Sequence, residues 1–320
     1  MAELIEENIM NITKVDMKAE SKSKLRRELP LHMMLLIPGI FVLIFSYGSM
    51  VGIIMAFQDY IPGKGWYVFG SDFVGIENFK ALLTIPNMLN VLWNTVFIAL
   101  LKIISGLFFP LTFALLLNEL KSVWFKRGVQ TAVFLPYFVS WVIMAGILID
   151  LLSPAKGIFV NLFAAFGLKV PFFLGDNNWF PTVLVVSNLW KDAGYGMVIY
   201  LAAITNINPS LYEAATIDGC GYMKKVRYIT LPSLAPVIIL LSVLSMGSIL
   251  NAGFEQVFNL YSPVVYQSGD ILDTFVYRMG ISEGQYSLST AVGLFKSVVS
   301  LSLISLSYYV AYKVADYRIF

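Results

Sequence analysis

Six long apolar runs constrain this 320-residue chain more than any other feature of its sequence. The runs occupy residues 33–57, 89–117, 129–152, 180–204, 233–252 and 288–312. About 20 apolar residues are enough for a helix to cross the ~30 Å hydrocarbon core of a bilayer. Only 13% of the residues are charged, against about 25% in a typical soluble domain. We therefore predict an all-α, polytopic membrane protein with six transmembrane helices, in which packed neighbours tolerate Pro38, Pro110 and Pro136.

The positions of the lysine and arginine residues predict how the helices are oriented. These residues cluster before the first run, between the second and third, after the fourth and at the end of the chain. The connections on the other side carry fewer of them. Because basic residues favour the cytoplasmic side, both termini and the loop at residues 206–232 are predicted to be cytoplasmic. Residues 1–30 are accordingly interpreted as a cytoplasmic polar tail, and residues 31–320 as the transmembrane domain.

The single cysteine and the single histidine limit the chemistry available to the chain. Cys220 has no second cysteine with which to form an internal disulfide, and on a cytoplasmic loop it should remain a reduced thiol. A metal site needs several convergent ligands, so His32 is interpreted as an interfacial histidine. No metal site and no catalytic residue is therefore predicted.

A charged segment, EAATIDGCGYMKKVRYITLP at residues 213–232, separates the fourth and fifth apolar runs. The preceding Asn208-Pro209 pair predicts a helix start, because proline at the first helical position loses no hydrogen bond. Ser210 and Glu213 have the spacing of a capping box, an alternative start in which Glu213 only satisfies a backbone donor. Both interpretations place a short polar helix at the membrane surface.

The rest of this segment predicts a turn and a return to the membrane. Ala214 and Ala215 leave one helix face free of bulky side chains, and Asp218-Gly219 can supply the left-handed turn that ends the helix. A second helical piece at residues 222–228 then leads back to the membrane. A short helix-turn-helix with a small-residue face is suited to a groove in another protein.

The spacing in this segment is Glu-Ala-Ala, three residues, Gly, nine residues, Ile, one residue and Leu-Pro. The matching positions are Glu213, Ala214, Ala215, Gly219, Ile229, Leu231 and Pro232. This pattern resembles the cytoplasmic coupling loop of ABC importer permeases. Further segments, including NAGFEQVFNLY at 251–261 and TAVGLFKSVVS at 290–300, resemble the oligosaccharide and lipoprotein-associated polysaccharide permeases related to the maltose permease large subunit.

The resemblance implies a type I ABC importer permease fold and a set of partners. The chain would form a heterodimer with a second permease subunit and receive an oligosaccharide from an extracellular or periplasmic solute-binding protein. Two ATPase subunits would bind ATP and Mg, and this chain would bind no cofactor, in keeping with its lack of a Gly-x-x-x-x-Gly-Lys-Ser/Thr sequence. Glu213 and Asp218 would belong to the loop that contacts an ATPase. The chain would reside in the cell membrane, contact lipid and no nucleic acid, and not be an enzyme.

Four polar residues form a stripe on the fourth apolar run. They are Asn188, Lys191, Asp192 and Tyr195, spaced at i, i+3, i+4 and i+7. Charges are costly when they face lipid, so the stripe should face the bundle interior or an aqueous cavity. One interpretation is that the two charges neutralise each other between packed helices. The other is that the stripe lines the transport path.

Two further sets of residues are candidates for the substrate path. The end of the fifth run carries Asn251, Phe254, Glu255 and Gln256. Their amide, carboxylate and ring groups suit the hydroxyls and C–H faces of a sugar, but they equally suit an interfacial helix end. Ser297 lies on a small-residue face of the last run, where the interpretations are helix packing and substrate contact. Lys102 is expected to pair internally and Lys296 to reach the outer surface.

The connections predicted on the outer side differ in character. Residues 58–88 contain aromatic residues such as Trp66 and Tyr67, which are typical of a membrane interface or of contact with an external partner. Residues 157–168 are apolar but too short to span the bilayer. Residues 254–285 are long for a connection in a helix bundle and predict a built surface.

Two other functions are consistent with parts of the sequence. A permease of the same class could carry amino acids or phosphate. An ion-coupled secondary transporter could use Lys191 and Asp192 as a coupling relay. Inverted internal repeats would favour the secondary transporter, and the chain shows no convincing repeat.

Overall fold

The computed structural model describes residues 28–65, 68–167 and 171–315, which are predominantly helical as predicted. The helices are α1 (Glu28–Phe57), α2 (Glu77–Leu82), α3 (Met88–Glu119), α4 (Val123–Phe134), α5 (Trp141–Leu152), α6 (Ile158–Ala165), α7 (Phe180–Thr205), α8 (Pro209–Ile217), α9 (Tyr222–Gly247), α10 (Phe254–Leu260), α11 (Tyr266–Gly269), α12 (Leu272–Tyr277) and α13 (Tyr286–Ala315). Strands β1 (Gln58–Asp59) and β2 (Asp72–Phe73) are antiparallel, with Gln58 opposite Phe73.

The chain divides into two compact units. The first comprises the residues up to Met55 together with Ile61–Ser71, and it contains most of α1. The second comprises Ala56–Tyr60 and the chain from Asp72 onward, and it contains both strands and α2 to α13. All of the candidate site residues lie in the second unit. Residues 1–27 of the predicted tail, and the predicted interfacial residues Trp66 and Tyr67, lie outside the described residues.

Four of the described helices are long and apolar enough to cross a membrane, namely α1, α3, α9 and α13. A fifth crossing results if the segment Val123–Phe138 and α5, which are bent by 105° from each other, form one broken span. Helix α7 has 26 residues, but its polar stripe keeps it from being apolar enough by the same measure. The described residues therefore contain four or five spans by length and composition, whereas six were predicted.

The third predicted span is broken in its middle. Its first part ends in a 3-10 turn, Leu135–Phe138, that contains Pro136. Proline has no N–H and its ring obstructs the preceding helical turn. The extended Ser140 then begins a new helix, because its hydroxyl accepts a hydrogen bond from the Ile143 N–H at 3.4 Å. Pro136 therefore interrupts the predicted third span, whereas Pro110 lies inside the continuous helix α3.

Helix α9 begins at Tyr222 rather than near residue 233, and it ends at Gly247 rather than near residue 252. A π turn at Val226–Thr230 lies just before Pro232. Since proline cannot donate to the carbonyl four residues earlier, the wider turn relieves the interruption without ending the helix. The second helical piece of the charged segment and the fifth apolar run are therefore one element.

Helix α7 packs closely against α3 and α4. A side chain at Gly194 would place its Cβ 2.4 Å from the Val133 carbonyl oxygen on α4, and one at Gly196 would lie 2.9 Å from Pro110 Cβ on α3. Buried residues such as Ile98, Met144 and Leu184 form the main core around these helices. Because the two glycines fix how α7 is rotated, they also fix which way its polar stripe faces.

The connection between α9 and α13 is a built structure, as predicted for residues 254–285. It contains α10, α11 and α12, with Arg278 and Asp270 joined by an ion pair of 2.5 Å. The hydrogen bonds that Arg278 donates to the Asp270 carboxylate raise the pKa of Arg278 above its usual value. Helix α6, within the predicted short segment 157–168, has only eight residues.

Candidate functional site

The charged segment folds as a short helix, a turn and the start of a long helix. Asn208 caps α8, because its side-chain oxygen accepts a hydrogen bond from the Ser210 N–H at 3.0 Å. Pro209 occupies the first turn, as predicted. The capping-box alternative with Ser210 as the cap is therefore wrong. Glu213 is exposed and free to contact a partner.

The turn that ends α8 uses the predicted left-handed glycine. Gly219 has a φ of +73°, and its N–H donates to the Thr216 carbonyl oxygen at 3.1 Å. The Cys220 N–H donates to the Ala215 carbonyl oxygen at 2.9 Å, so two otherwise unpaired carbonyl groups are satisfied. Among the described residues, no atom lies within 4 Å of where a Gly219 Cβ would be, so the backbone angle is what favours glycine here.

The remaining residues of the motif differ in exposure. Ala214, Asp218 and Pro232 are exposed, whereas Ala215, Ile229 and Leu231 are partly covered. The motif therefore has small or polar groups on α8 and at the turn, and apolar groups at and just after the π turn of α9.

The two charged residues of the α7 polar stripe form hydrogen bonds with different groups. Lys191 is 9% exposed and its ammonium donates to the carbonyl oxygens of Tyr137 at 2.8 Å and Val139 at 2.6 Å. These carbonyl groups lie at the break between Val123–Phe138 and α5. Asp192 is exposed and accepts a hydrogen bond from Asn188. The two charged groups therefore form hydrogen bonds with different partners and interact with each other only at longer range.

Lys191 acts as a cap for a broken helix. An unpaired carbonyl group inside a membrane is costly, and the ammonium satisfies two of them. The same ammonium lies 5.6 Å from the centroid of the Tyr137 ring and 5.7 Å from that of the Trp141 ring. Tyr195 stacks on Tyr137 at 5.0 Å between ring centroids. Lys191 and Tyr195 thus hold the break against α7, while Asn188 and Asp192 form the open part of the stripe.

The Lys191→Met variant is expected to lose about 2–3 kcal/mol of stability, because two charge-assisted hydrogen bonds disappear and their carbonyl groups stay buried. Asp192→Asn is the matched control, since asparagine can still accept the hydrogen bond from Asn188. Thermal unfolding of the purified protein measures both. The double variant should not recover stability, because the Lys191 ammonium donates to carbonyl oxygens rather than to the Asp192 carboxylate. Recovery in the double variant would instead reveal a direct charge pair.

A second polar group lies where α3, α7 and α10 meet. The Lys102 ammonium donates to the Ala252 carbonyl oxygen at 2.5 Å and to the Gln256 side-chain oxygen. Gln256, which is 1% exposed, donates in turn to the Leu184 carbonyl oxygen and the Ser187 hydroxyl, both at 2.7 Å. Lys102 therefore pairs internally, as expected. We call Lys102, Ser187, Ala252 and Gln256 the polar junction.

Beside α10 lies an open cavity of about 590 Å³. Asn251 and Phe254 from the predicted substrate path line it, together with Tyr277, Asp273 and Lys296. Lys296 forms an ion pair of 2.5 Å with Asp273, so it is paired in addition to facing the cavity. The spacing of Asp273 and Lys296 in sequence gave no signal that they would meet.

Besides the four residues of the polar stripe, three more predicted path residues do not line this cavity. Gln256 is held in the polar junction, and Glu255 is exposed outside the cavity lining. Ser297 is exposed on α13, and its hydroxyl donates to the Gly293 carbonyl oxygen at 2.9 Å. No atom of the described residues lies within 4 Å of where a Gly293 Cβ would be. The small-residue face of α13 is therefore left open by the described part of this chain.

Similarity to known proteins covers most of the chain. Residues 106–319 match the family described as binding-protein-dependent transport system inner membrane component. Protein LplB of Bacillus subtilis (strain 168) is 41% identical over 88% of both chains. The polygalacturonan/rhamnogalacturonan transport system permease protein YteP of the same organism is 39% identical over 93% of this chain and 92% of its own.

A solved structure has the same fold. It is a bacterial alginate ABC transporter in complex with an alginate pentasaccharide-bound periplasmic protein. One of its chains superposes with a TM-score of 0.84 and 35% identity, covering 93% of this chain and 99% of that one. The all-α permease fold predicted from the sequence is confirmed by this match. The chain therefore belongs to the family of inner membrane components of binding-protein-dependent transport systems, which are parts of transporters rather than enzymes.

Proposed function

We propose that this chain is the permease subunit of an ABC importer that brings an oligosaccharide into the cytoplasm by alternating access. The observation that carries the proposal is α8, a short capped helix with Glu213 exposed, placed directly between the long helices α7 and α9. A partner that binds α8 and moves it would displace both of the helices that α8 joins. Alternating access then follows from movement of the helices that α8 joins.

The proposed topology has six spans with both termini in the cytoplasm. At 1.5 Å per residue, the 26 residues of α7 extend about 39 Å, which is enough to cross the hydrocarbon core. Lys191 is satisfied by two carbonyl groups and Asp192 by Asn188, so the cost of their polarity inside a membrane is reduced. The distribution of lysine and arginine supports the cytoplasmic placement of residues 206–232 and of the polar tail.

The proposed assembly contains a second permease subunit, two ATPase subunits and a solute-binding protein outside the cell membrane. ATP and Mg would be bound by the ATPase subunits, with Glu213, Ala214, Ala215, Asp218 and Gly219 in the contact. Family membership supports the dependence on a binding protein. The open small-residue face at Gly293 and Ser297 is suited to close packing of another helix, which supports a second permease subunit.

The proposed substrate is an oligosaccharide, such as one derived from a polysaccharide. The names of the relatives support this class, because YteP is described for polygalacturonan/rhamnogalacturonan transport and the solved structure for alginate. The cavity beside α10 supports it independently. Its wall combines the Phe254 and Tyr277 rings with the Asn251 amide and the Asp273–Lys296 pair, which suit the C–H faces and hydroxyls of sugars.

Reconstitution of the complete complex in liposomes tests the function. We expect uptake of an oligosaccharide only when its binding protein is outside and ATP is available to the ATPase subunits. A panel that includes oligosaccharides, amino acids and phosphate identifies the solute class. ATP-driven uptake of a non-sugar solute alone would contradict the proposal that the substrate is an oligosaccharide. Uptake driven by an ion gradient in liposomes that contain only this chain would contradict the proposal that it belongs to an ATP-driven importer.

A separate prediction concerns the residues that line the cavity beside α10 and would contact the substrate. Asn251→Ala and Phe254→Ala are each expected to weaken substrate-stimulated ATPase activity by about 1–3 kcal/mol, because a hydrogen bond or a ring contact with the sugar is lost. Glu255→Ala is the matched control, since Glu255 is on the same helix but outside the cavity wall. The half-saturating concentration of the loaded binding protein measures the effect. Equal values for all three variants would move the sugar site elsewhere.

A further inference from the structure

The coupling helix α8 is tied to the transmembrane helices by side chains that lie outside the recognised motif. Lys225 of α9 donates from its ammonium to the Thr216 hydroxyl of α8 at 2.8 Å. The Tyr212 hydroxyl of α8 lies 2.9 Å from the Thr230 hydroxyl of α9, and Thr230 is only 3% exposed. Two side-chain bonds thus join α8 to α9 on either side of the turn at Gly219.

A third side-chain bond reaches a different helix. The Tyr222 hydroxyl donates to the Leu115 carbonyl oxygen of α3 at 3.2 Å. Tyr222 is the first residue of α9, and Leu115 lies within the last two turns of α3. The contact therefore links the base of the coupling segment to a helix that is distant in sequence.

The bonds act in series. The Thr216 hydroxyl receives the Lys225 ammonium and itself donates to the Tyr212 carbonyl oxygen at 2.6 Å, so the two groups polarise each other. The π turn at Val226–Thr230 separates the two anchor positions of α9, Lys225 and Thr230. A cavity of about 230 Å³ lies between these side chains and the end of α3. Because the space beneath α8 is not filled by close packing, the side-chain bonds must hold its position.

We propose that Tyr222 and Lys225, with Tyr212, are positioning residues that transmit movement of α8 to α3 and α9. Without them, the four-residue turn after α8 would absorb the movement of a docked ATPase. With them, α8 moves α9 through Thr216 and Thr230, and α3 through Leu115. This inference rests on the proposed coupling to separate ATPase subunits. It adds the residues that keep α8 in a fixed position relative to α3 and α9 when α8 moves.

The test compares transport with ATP hydrolysis in the complete reconstituted complex. Tyr222→Phe removes one hydroxyl and keeps the ring, and Lys225→Met removes one charge and keeps the chain length. We expect each variant to assemble and to hydrolyse ATP, but to import about fivefold less substrate for each ATP hydrolysed. A fivefold change is what the loss of one ordinary hydrogen bond produces in an equilibrium. The double variant should import still less substrate per ATP. Lys225→Gln can still donate to Thr216, so it should import more substrate per ATP than Lys225→Met.

Tyr309→Phe is the matched control, because it removes the same hydroxyl from a tyrosine on α13 that is 57% exposed. Its transport per ATP should equal that of the wild type. An unchanged ratio in Tyr222→Phe, Lys225→Met and the double variant would overturn the inference. So would loss of assembly, or equal loss of hydrolysis and transport, because each would indicate a purely structural role. If instead the wild-type complex showed no ATP-driven transport, the proposed function itself would fail.

Discussion

Replacing Gly219 with proline is expected to reduce uptake by the assembled complex about tenfold or more. The native φ of +73° is closed to proline, whose ring fixes φ near −65°. The substitution also removes the N–H that donates to the Thr216 carbonyl oxygen. The turn after α8 must therefore rebuild, which displaces Glu213 from the position at which a partner would meet it. A change of about 1.4 kcal/mol in the coupled step is already tenfold in rate.

Gly221→Ala is the matched control for this prediction. Gly221 has a φ of −69°, and no atom in the described part of the chain lies within 4 Å of where its Cβ would be, so alanine fits without strain. Glu213→Ala separates docking from folding, because the exposed carboxylate can be removed without disturbing the helix. Uptake and ATPase activity of each complex, measured beside the amount of inserted protein, are the readouts. Wild-type uptake by the assembled Gly219→Pro complex would remove this turn from the mechanism.

Features that depend on neighbouring residues in the sequence were predicted well. The start of α8 at Pro209 and the left-handed turn at Gly219 follow from the conformations that these two residues permit. The apolar runs also located the long helices, because hydrophobicity over about 20 residues is enough to identify a crossing. Exposure of Glu213 follows from the charged character of its segment.

Features that depend on distant residues were predicted poorly. Lys191 lies next to Asp192 in the sequence, yet its ammonium binds carbonyl groups more than 50 positions away, at a helix break whose bend the sequence did not disclose. Gln256 carries groups that suit a sugar, but packing places it inside the polar junction. Helical periodicity indicates which residues share one face of a helix. It does not indicate which other helix or cavity that face contacts.

The start of α9 was predicted only in part. Residues 222–228 are helical as predicted, but the charged Lys224 and Lys225 separate them in hydropathy from the apolar run at 233–252. Hydrogen bonding within the helix does not require apolar side chains, and a π turn allows the helix to continue to Pro232. Hydropathy therefore identified the apolar part of α9, but not that the charged helical piece at 222–228 continues into it. The difference matters, because a continuous α9 can transmit movement from α8 into the membrane.

The largest loss of stability is expected at the polar junction. Lys102→Met leaves the Ala252 carbonyl oxygen and the Gln256 side-chain oxygen without their donor, in a region where water cannot replace it. Gln256→Leu leaves the Lys102 ammonium with a single acceptor and also removes the donors to Leu184 and Ser187. Each change should destabilise the protein by about 3 kcal/mol, which is typical of a lost hydrogen bond to a buried charged group.

The double variant Lys102→Met with Gln256→Leu decides whether the cost comes from the missing bond or from stranded polar groups. Replacing both partners by apolar side chains of similar size removes the stranded groups, so the double variant should be more stable than the sum of the single losses predicts. Thermal unfolding of the detergent-solubilised complex measures this. Lys156→Met, at an exposed lysine, should leave stability unchanged. Strictly additive losses would show that Lys102 and Gln256 do not depend on each other, and wild-type stability in both single variants would show that the junction does not hold the three helices together.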